Sequence, residues 1–274
     1  MTAVERWNHM VVEEHAQTDR LRDPAPSPSD HWHGMTDSFR MDPRRTDDPL
    51  LDALLARLQP HHTVIDVGAG AGRLALPIAL RCASVAAVEP SQSMASALAE
   101  EASRHGITNI TLLQDRWEDA PVPPADIVLC AHVLYTCRDI ETFVRKLDAH
   151  ATSEVWVVLF HRPPQRRIYP LWLPVHGEER LWLPALPEFE QVLHHLNIEY
   201  SVQGLTPQDV GGFESLDQAW SQLRGRLFLT EGSEKDRRLG QVLADELIEE
   251  QGQLRLKGAS PLEPSLVSWR PISA

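Results

Sequence analysis

Between residues 63 and 160 the chain alternates short, unbroken apolar runs with longer amphipathic stretches, and few architectures accept that pattern. The runs at 63–67, 84–88, 109–113, 125–130 and 154–160 lack the every-second-residue polarity of a half-exposed strand. They read as strands covered on both faces. Helical periodicity fills the intervals at 73–80, 91–105 and 140–150. A further helix follows Pro49, with Leu50, Leu51, Leu54, Leu55 and Leu58 on its apolar face. Such alternation builds a doubly wound, mostly parallel α/β sheet with right-handed crossovers. Beyond it the pattern predicts a helix at 187–196, strands at 198–202 and 266–269, and amphipathic helices at 215–229 and 233–251. The first 46 residues are the least regular. A helix at about 7–22 runs into Asp23-Pro24-Ala25-Pro26-Ser27-Pro28, where proline removes amides and clashes in a helix interior.

A chain of 274 residues buries roughly three quarters of its unfolded surface, so its core needs no covalent staples. Cys82, Cys130 and Cys137 show no ligand spacing and read as buried thiols of a reducing compartment. No run approaches the roughly 18 to 20 apolar residues of a membrane span, and the N-terminus lacks a secretory pattern. A cytoplasmic location without a membrane partner is expected. The formal charge of −13 opposes a phosphate backbone, which disfavours nucleic acid as a partner.

One local motif carries chemistry: Val64-Ile65-Asp66-Val67-Gly68-Ala69-Gly70-Ala71-Gly72-Arg73, at the end of the first strand. Glycines there allow unusual backbone angles and close approach of a ligand, or serve a tight turn alone. A dinucleotide fingerprint wants its third glycine three residues after the second. Arg73 fills that slot, which argues against a nicotinamide cofactor. Glu89 closes the second strand, 23 residues beyond Asp66 and near the separation of roughly 20 at which an acid meets a ribose diol. Asp115 follows the third strand, where it can serve an exocyclic amine or merely a turn. Trp117 can pack near a purine or in the core.

The glycine turn, the acid ending strand two and the aspartate after strand three together resemble the class I S-adenosylmethionine-dependent methyltransferases, most nearly their bacterial small-molecule branch. The resemblance covers residues 47 to about 160. It implies a Rossmann-like seven-stranded sheet ordered 3-2-1-4-5-7-6, the seventh strand antiparallel. It also implies S-adenosylmethionine as cofactor, its methionine part on Asp66, Gly68, Ala69, Gly70 and Gly72. Glu89 and Pro90 then meet the ribose, Asp115 and Arg116 the adenine side, and Ala131 the methionine end. Residues 1–46 would form a lid, with Arg40 on the methionine carboxylate. The methyltransferase domain would comprise 47–203 and 264–274, and 204–263 a helical cap insertion or a homodimer surface. The segment His132-Val133-Leu134-Tyr135 lacks the Asn/Asp-Pro-Pro-aromatic motif of relatives acting on planar amino groups.

A sulfonium methyl is attacked in line, so much of the catalysis is positioning, and a base helps only where the acceptor must lose a proton. His132, just past the fourth strand, is the candidate base, or a group that only hydrogen-bonds. Tyr135, His161 and Trp32 are candidate acceptor contacts. Arg162, Arg166 and Arg167 form a cluster fit for an anionic acceptor or a solvated loop. His31 and His33 lack further ligands, so no metal is expected. Methyl transfer to a small molecule leads. An NAD(P)-dependent oxidoreductase and a non-catalytic S-adenosylmethionine-binding regulator are the alternatives.

Overall fold

The computed structural model describes residues 1–24, 30 and 36–272. The five apolar runs form the parallel strands β1 (Thr63–Val67), β2 (Ser84–Val88), β3 (Ile110–Leu113), β4 (Ala125–Ala131) and β5 (Ala151–Phe160). Later in the chain come β6 (Ser201–Gly204), a separate hairpin of β7 (Leu247–Glu250) and β8 (Gln253–Leu256), and β9 (Pro264–Trp269). The main sheet runs β3-β2-β1-β4-β5-β9-β6, with β9 antiparallel to both neighbours. That is the 3-2-1-4-5-7-6 order expected.

Because side chains alternate across a strand, each strand feeds two layers. Ile65, Val67, Val128, Cys130, Val155 and Val157 meet α1 (Ala3–Leu21), α5 (Ile140–His150) and α7 (Leu186–His195) on one face. On the other, Val64, Ala87, Ile127, Leu129, Trp156 and Val158 pack on α2 (Pro49–Leu55), α3 (Ala75–Ala79) and α4 (Gln92–Arg104). A third apolar cluster gathers α6 (Tyr169–His176), α8 (Leu216–Arg226) and α9 (Glu234–Glu246) around Leu171, Trp172, Val175, Leu223, Leu239 and Leu243. No helix among the described residues is long and apolar enough to cross a membrane.

Three elements differ from expectation. The leader is not uniformly a lid: α1 belongs to the sheet's helical layer, with Trp7 fully buried and its Nε1 donating to the Cys137 carbonyl at 2.9 Å. The helix expected at 233–251 ends at Glu246. Gln251 and Gly252 then take φ of 52° and 76°, the paired positive angles that a tight hairpin requires. Helix α6 was hidden by Pro170 and Pro174. The first sits at the helix start, where its missing amide costs nothing. Since α6 and Leu21 help to fill the third cluster, the helical cap reaches beyond residues 204–263. Trp32, His31 and His33 lie outside the described residues.

Candidate cofactor and acceptor site

Strands β1, β2 and β4 end level, with Val67 opposite Val88 and Cys130. The amides of Gly68 and Ala69 donate to the Val88 carbonyl at 2.8 and 3.2 Å, which ties the glycine turn to the end of β2, one residue before Glu89. Gly68, Gly70 and Gly72 have φ of 73°, 55° and 88°, in the left-handed region that favours glycine. Their surroundings separate their roles. A Cβ on Gly68 would lie 2.4 Å from Val133, and one on Gly72 would lie 2.8 Å from Leu76 and 3.2 Å from Leu98. A Cβ on Gly70 would meet nothing within 4 Å among the described residues. The outer glycines serve packing, and no described side chain covers the middle one.

Glu89 reaches back to that middle glycine. Its Oε2 accepts the Gly70 amide and its Oε1 the Ser91 amide, each at 2.8 Å. Each oxygen keeps a free acceptor site for a hydroxyl. Burial raises the Glu89 pKa, the two amides pull it down, and the charge of Asp30 pushes it up. Burial, with Glu89's charge adding, lifts the Asp66 carboxyl to about 7. Asp30 is a site neighbour that the sequence did not reveal. It accepts from Ser91 Oγ at 2.9 Å and from the Ser93 amide at 2.8 Å, joining the N-terminal segment to the start of α4. Beyond β3, Asp115, Arg116 and Pro90 are exposed, while Ala69 is buried and Ala131 half-buried. Trp117 is a core residue: it is 3% exposed, packs on Phe143 and lies beneath the Lys146 ammonium.

His132 stands just past β4 with φ of 60°, an uncommon angle for a non-glycine residue. Its amide donates to Val158 at 2.9 Å and its ring stacks on Phe160 at 4.2 Å. Tyr135 is buried beneath it rather than lining an open space: its Oη accepts the Phe160 amide at 2.7 Å and lies 3.4 Å from His132 Nδ1. The phenol proton is free to point at Nδ1, the arrangement that would put the imidazole hydrogen on Nε2, a buried atom without a partner among the described residues. Burial, assisted by the charge of Arg73, drops the His132 pKa to about 3. That shift weighs against the general-base reading of His132 and for the one in which it only hydrogen-bonds. An imidazole so reluctant to take a proton is a poor base near neutrality and a good neutral hydrogen-bond donor.

Arg40 is already engaged by carboxylates. Its guanidinium binds Glu101 at 2.9 Å, Glu100 at 2.6 Å and Asp37 at 3.2 Å, pinning the leader to α4 rather than waiting for a carboxylate. Arg73 is the better-placed cation. Its Nη2 reaches Asp48 at 3.2 Å, while its buried Nε has no partner among the described residues. The sequence had offered Arg73 only as the residue that spoils a dinucleotide fingerprint. His161, after β5, is exposed, and its amide donates to Glu263. A bared turn, an acid with free acceptor sites and unpaired buried donors fit a nucleoside that carries an amino-acid tail.

Residues 64–153 match the family described as the methyltransferase domain. The chain is 32% identical over 97 residues to the uncharacterized methyltransferase YcgJ of Bacillus subtilis, which covers 34% of this chain and 37% of that protein. The curated relatives it matches are thus covered over 37–40% of their length. The YcgJ crystal structure superposes with a TM-score of 0.57 at 17% identity, over 81% of this chain and 98% of that one. Magnesium protoporphyrin IX methyltransferase from Synechocystis, solved with bound SAH, gives 0.51 at 13% identity over 97% of each chain. The [4+2]-cyclase SpnF gives 0.52 at 14% identity over 98% of this chain and 95% of that one. A fold shared with a cyclase does not fix the reaction. The matched segment carries the glycine turn and Glu89, the sheet stands in the order that the resemblance implied, and the chain shares its fold with these structures: residues 64–153 are similar to the methyltransferase domain.

Proposed function

We propose that the chain transfers the methyl group of S-adenosylmethionine to a small-molecule acceptor. The observation that carries this is Glu89, held by the Gly70 and Ser91 amides with an acceptor site spare on each oxygen, beside the open face of Gly70. When bound, the cofactor supplies an electrophilic methyl. The chain's own residues supply position. Glu89 takes the ribose hydroxyls, Asp115 the adenine side, and the glycine turn the amino-acid tail, with Arg73 Nε the donor nearest to hand for its carboxylate. His132 offers Nε2–H as a neutral donor that can hold a polar group of the acceptor in line with the methyl. The −13 charge and the missing Asn/Asp-Pro-Pro-aromatic motif both favour a small acceptor over nucleic acid.

Calorimetry with S-adenosylmethionine, S-adenosylhomocysteine and NADH tests the cofactor. Micromolar binding of the first two alone is expected. Glu89→Gln and Glu89→Ala should each weaken it at least tenfold, about 1.4 kcal/mol, with thermal unfolding checking that the turn survives. Binding of NADH alone would favour the oxidoreductase instead. A screen of small acceptors with labelled methyl then separates an enzyme from a binding regulator.

A further inference from the structure

A cavity of about 120 Å³ lies between the segment after β5 and the chain leading into β9, lined by Arg162, Arg166, Arg167, Lys257, Ser260 and Glu263 among others. Whole-ligand pockets run to roughly 300–1,000 Å³, so this one takes the end of a molecule. Four cations face one carboxylate. Elsewhere many arginines of this acidic chain pair with acids, as Arg20 does with Glu178, Arg57 with Glu154 and Arg255 with Asp209. Among the described residues none of these four makes an ion pair. Arg167 instead donates to the Val210 carbonyl at 2.8 Å, and Arg162 lies 5.9 Å from the Trp182 ring centre. With 39 acidic residues against 26 basic ones, four cations gathered with a single acid are held there by the fold. Like charges so placed repel unless an anion joins them.

The cavity's position connects it to the acceptor side. Phe160, the last residue of β5, stacks on His132, and Arg162 follows two residues later, a span of at most about 7 Å of chain. Resting on the methyltransferase reading, we propose that the acceptor carries an anionic group, phosphate or carboxylate, that docks in this cavity. Its nucleophilic atom would face the cofactor beside His132. Guanidinium groups suit both anions through paired N–H donors.

The test titrates the full chain with inorganic phosphate, and separately with succinate, at constant ionic strength, reading the thermal unfolding midpoint. Saturable stabilisation by at least one of them is expected. Phosphate alone would point to a phosphorylated acceptor, and succinate alone to a carboxylated one. The Arg162→Ala/Arg166→Ala variant should raise the half-saturating concentration at least tenfold. Lys257→Ala, on the opposite wall, should also raise it, and serves alone if the double variant does not fold. Arg104→Ala/Arg145→Ala, with the same change in net charge on distant helices, should leave it unchanged. No saturable response to either anion, or equal losses in cavity and control variants, would overturn the proposal. S-adenosylhomocysteine affinity is measured on each protein alongside. Cofactor binding without anion binding sinks the cavity alone, while anion binding without cofactor binding sinks the methyltransferase reading.

Discussion

His132 combines a backbone angle that few side chains accept with an imidazole held neutral, and the two properties can be tested separately. Asparagine tolerates the left-handed region better than alanine, by roughly 1 kcal/mol. Urea unfolding should therefore find His132→Asn more stable than His132→Ala, whatever either does to turnover. Because burial and Arg73 hold the His132 pKa near 3, the pH profile of kcat/KM should show no imidazole inflection between pH 5 and 8. An inflection lost in His132→Asn would restore the base. Asp66 gives the opposite case, an acid that titrates late. Its carboxyl moves from 3.8 to about 7 on folding, by burial and the Glu89 charge. The folded chain binds that proton more tightly, so the stability it lends is full below pH 3.8 and is lost as pH rises through 7. Asp66→Asn, neutral throughout, should lose less stability than wild type between pH 5 and 8. Thermal midpoints across that window measure the difference.

At the scale of the element, the glycine turn separates folding from binding. Gly72→Ala forces a methyl onto Leu76 and Leu98 at a φ of 88°, and overpacking with left-handed strain should cost about 2–4 kcal/mol of stability. Gly70→Ala meets no neighbour among the described residues and should cost only about 1–2 kcal/mol. It nonetheless places a methyl where the proposed cofactor approaches, so its S-adenosylhomocysteine affinity should fall at least tenfold. Denaturant unfolding and calorimetry on both variants read the contrast, and equal effects on the two measures would refute it. The turn was legible because its glycines and Glu89 sit at strand ends that the apolar runs had already fixed. Arg73 and Asp30 were not legible. Neither carries a spacing signal, and both acquire meaning only when distant segments converge on the start of α4 and the end of β4. The partners of Arg40 were hidden for the related reason that a sequence cannot show Glu100 and Glu101 waiting on the neighbouring helix.

Across the whole molecule, the sheet was readable because a strand buried on both faces must be apolar throughout, whereas the cap obeys no such rule. Its pieces borrow α6 and the end of α1, and its long amphipathic run changes from helix to hairpin at Leu247 with no break in the spacing of Leu239, Leu243 and Leu247. The cap has its own apolar cluster and its own pin. Trp220 Nε1 donates to Asp236 at 2.7 Å, Arg224 adds a bond to the same carboxylate at 2.8 Å, and the ring lies flush against Gly240. A Cβ on Gly240 would stand 2.4 Å from that ring, so Gly240→Ala must part α8 from α9. The expected cost is about 1–3 kcal/mol, as for other overpacked contacts. If the cap is a separate cooperative unit, the loss stays local. Hydrogen exchange should then show amides of α8 and α9 losing protection while β1 and β4 keep theirs, with S-adenosylhomocysteine affinity unchanged. A uniform loss of protection across sheet and cap would mean that Leu21 and α6 weld the two into a single folding unit.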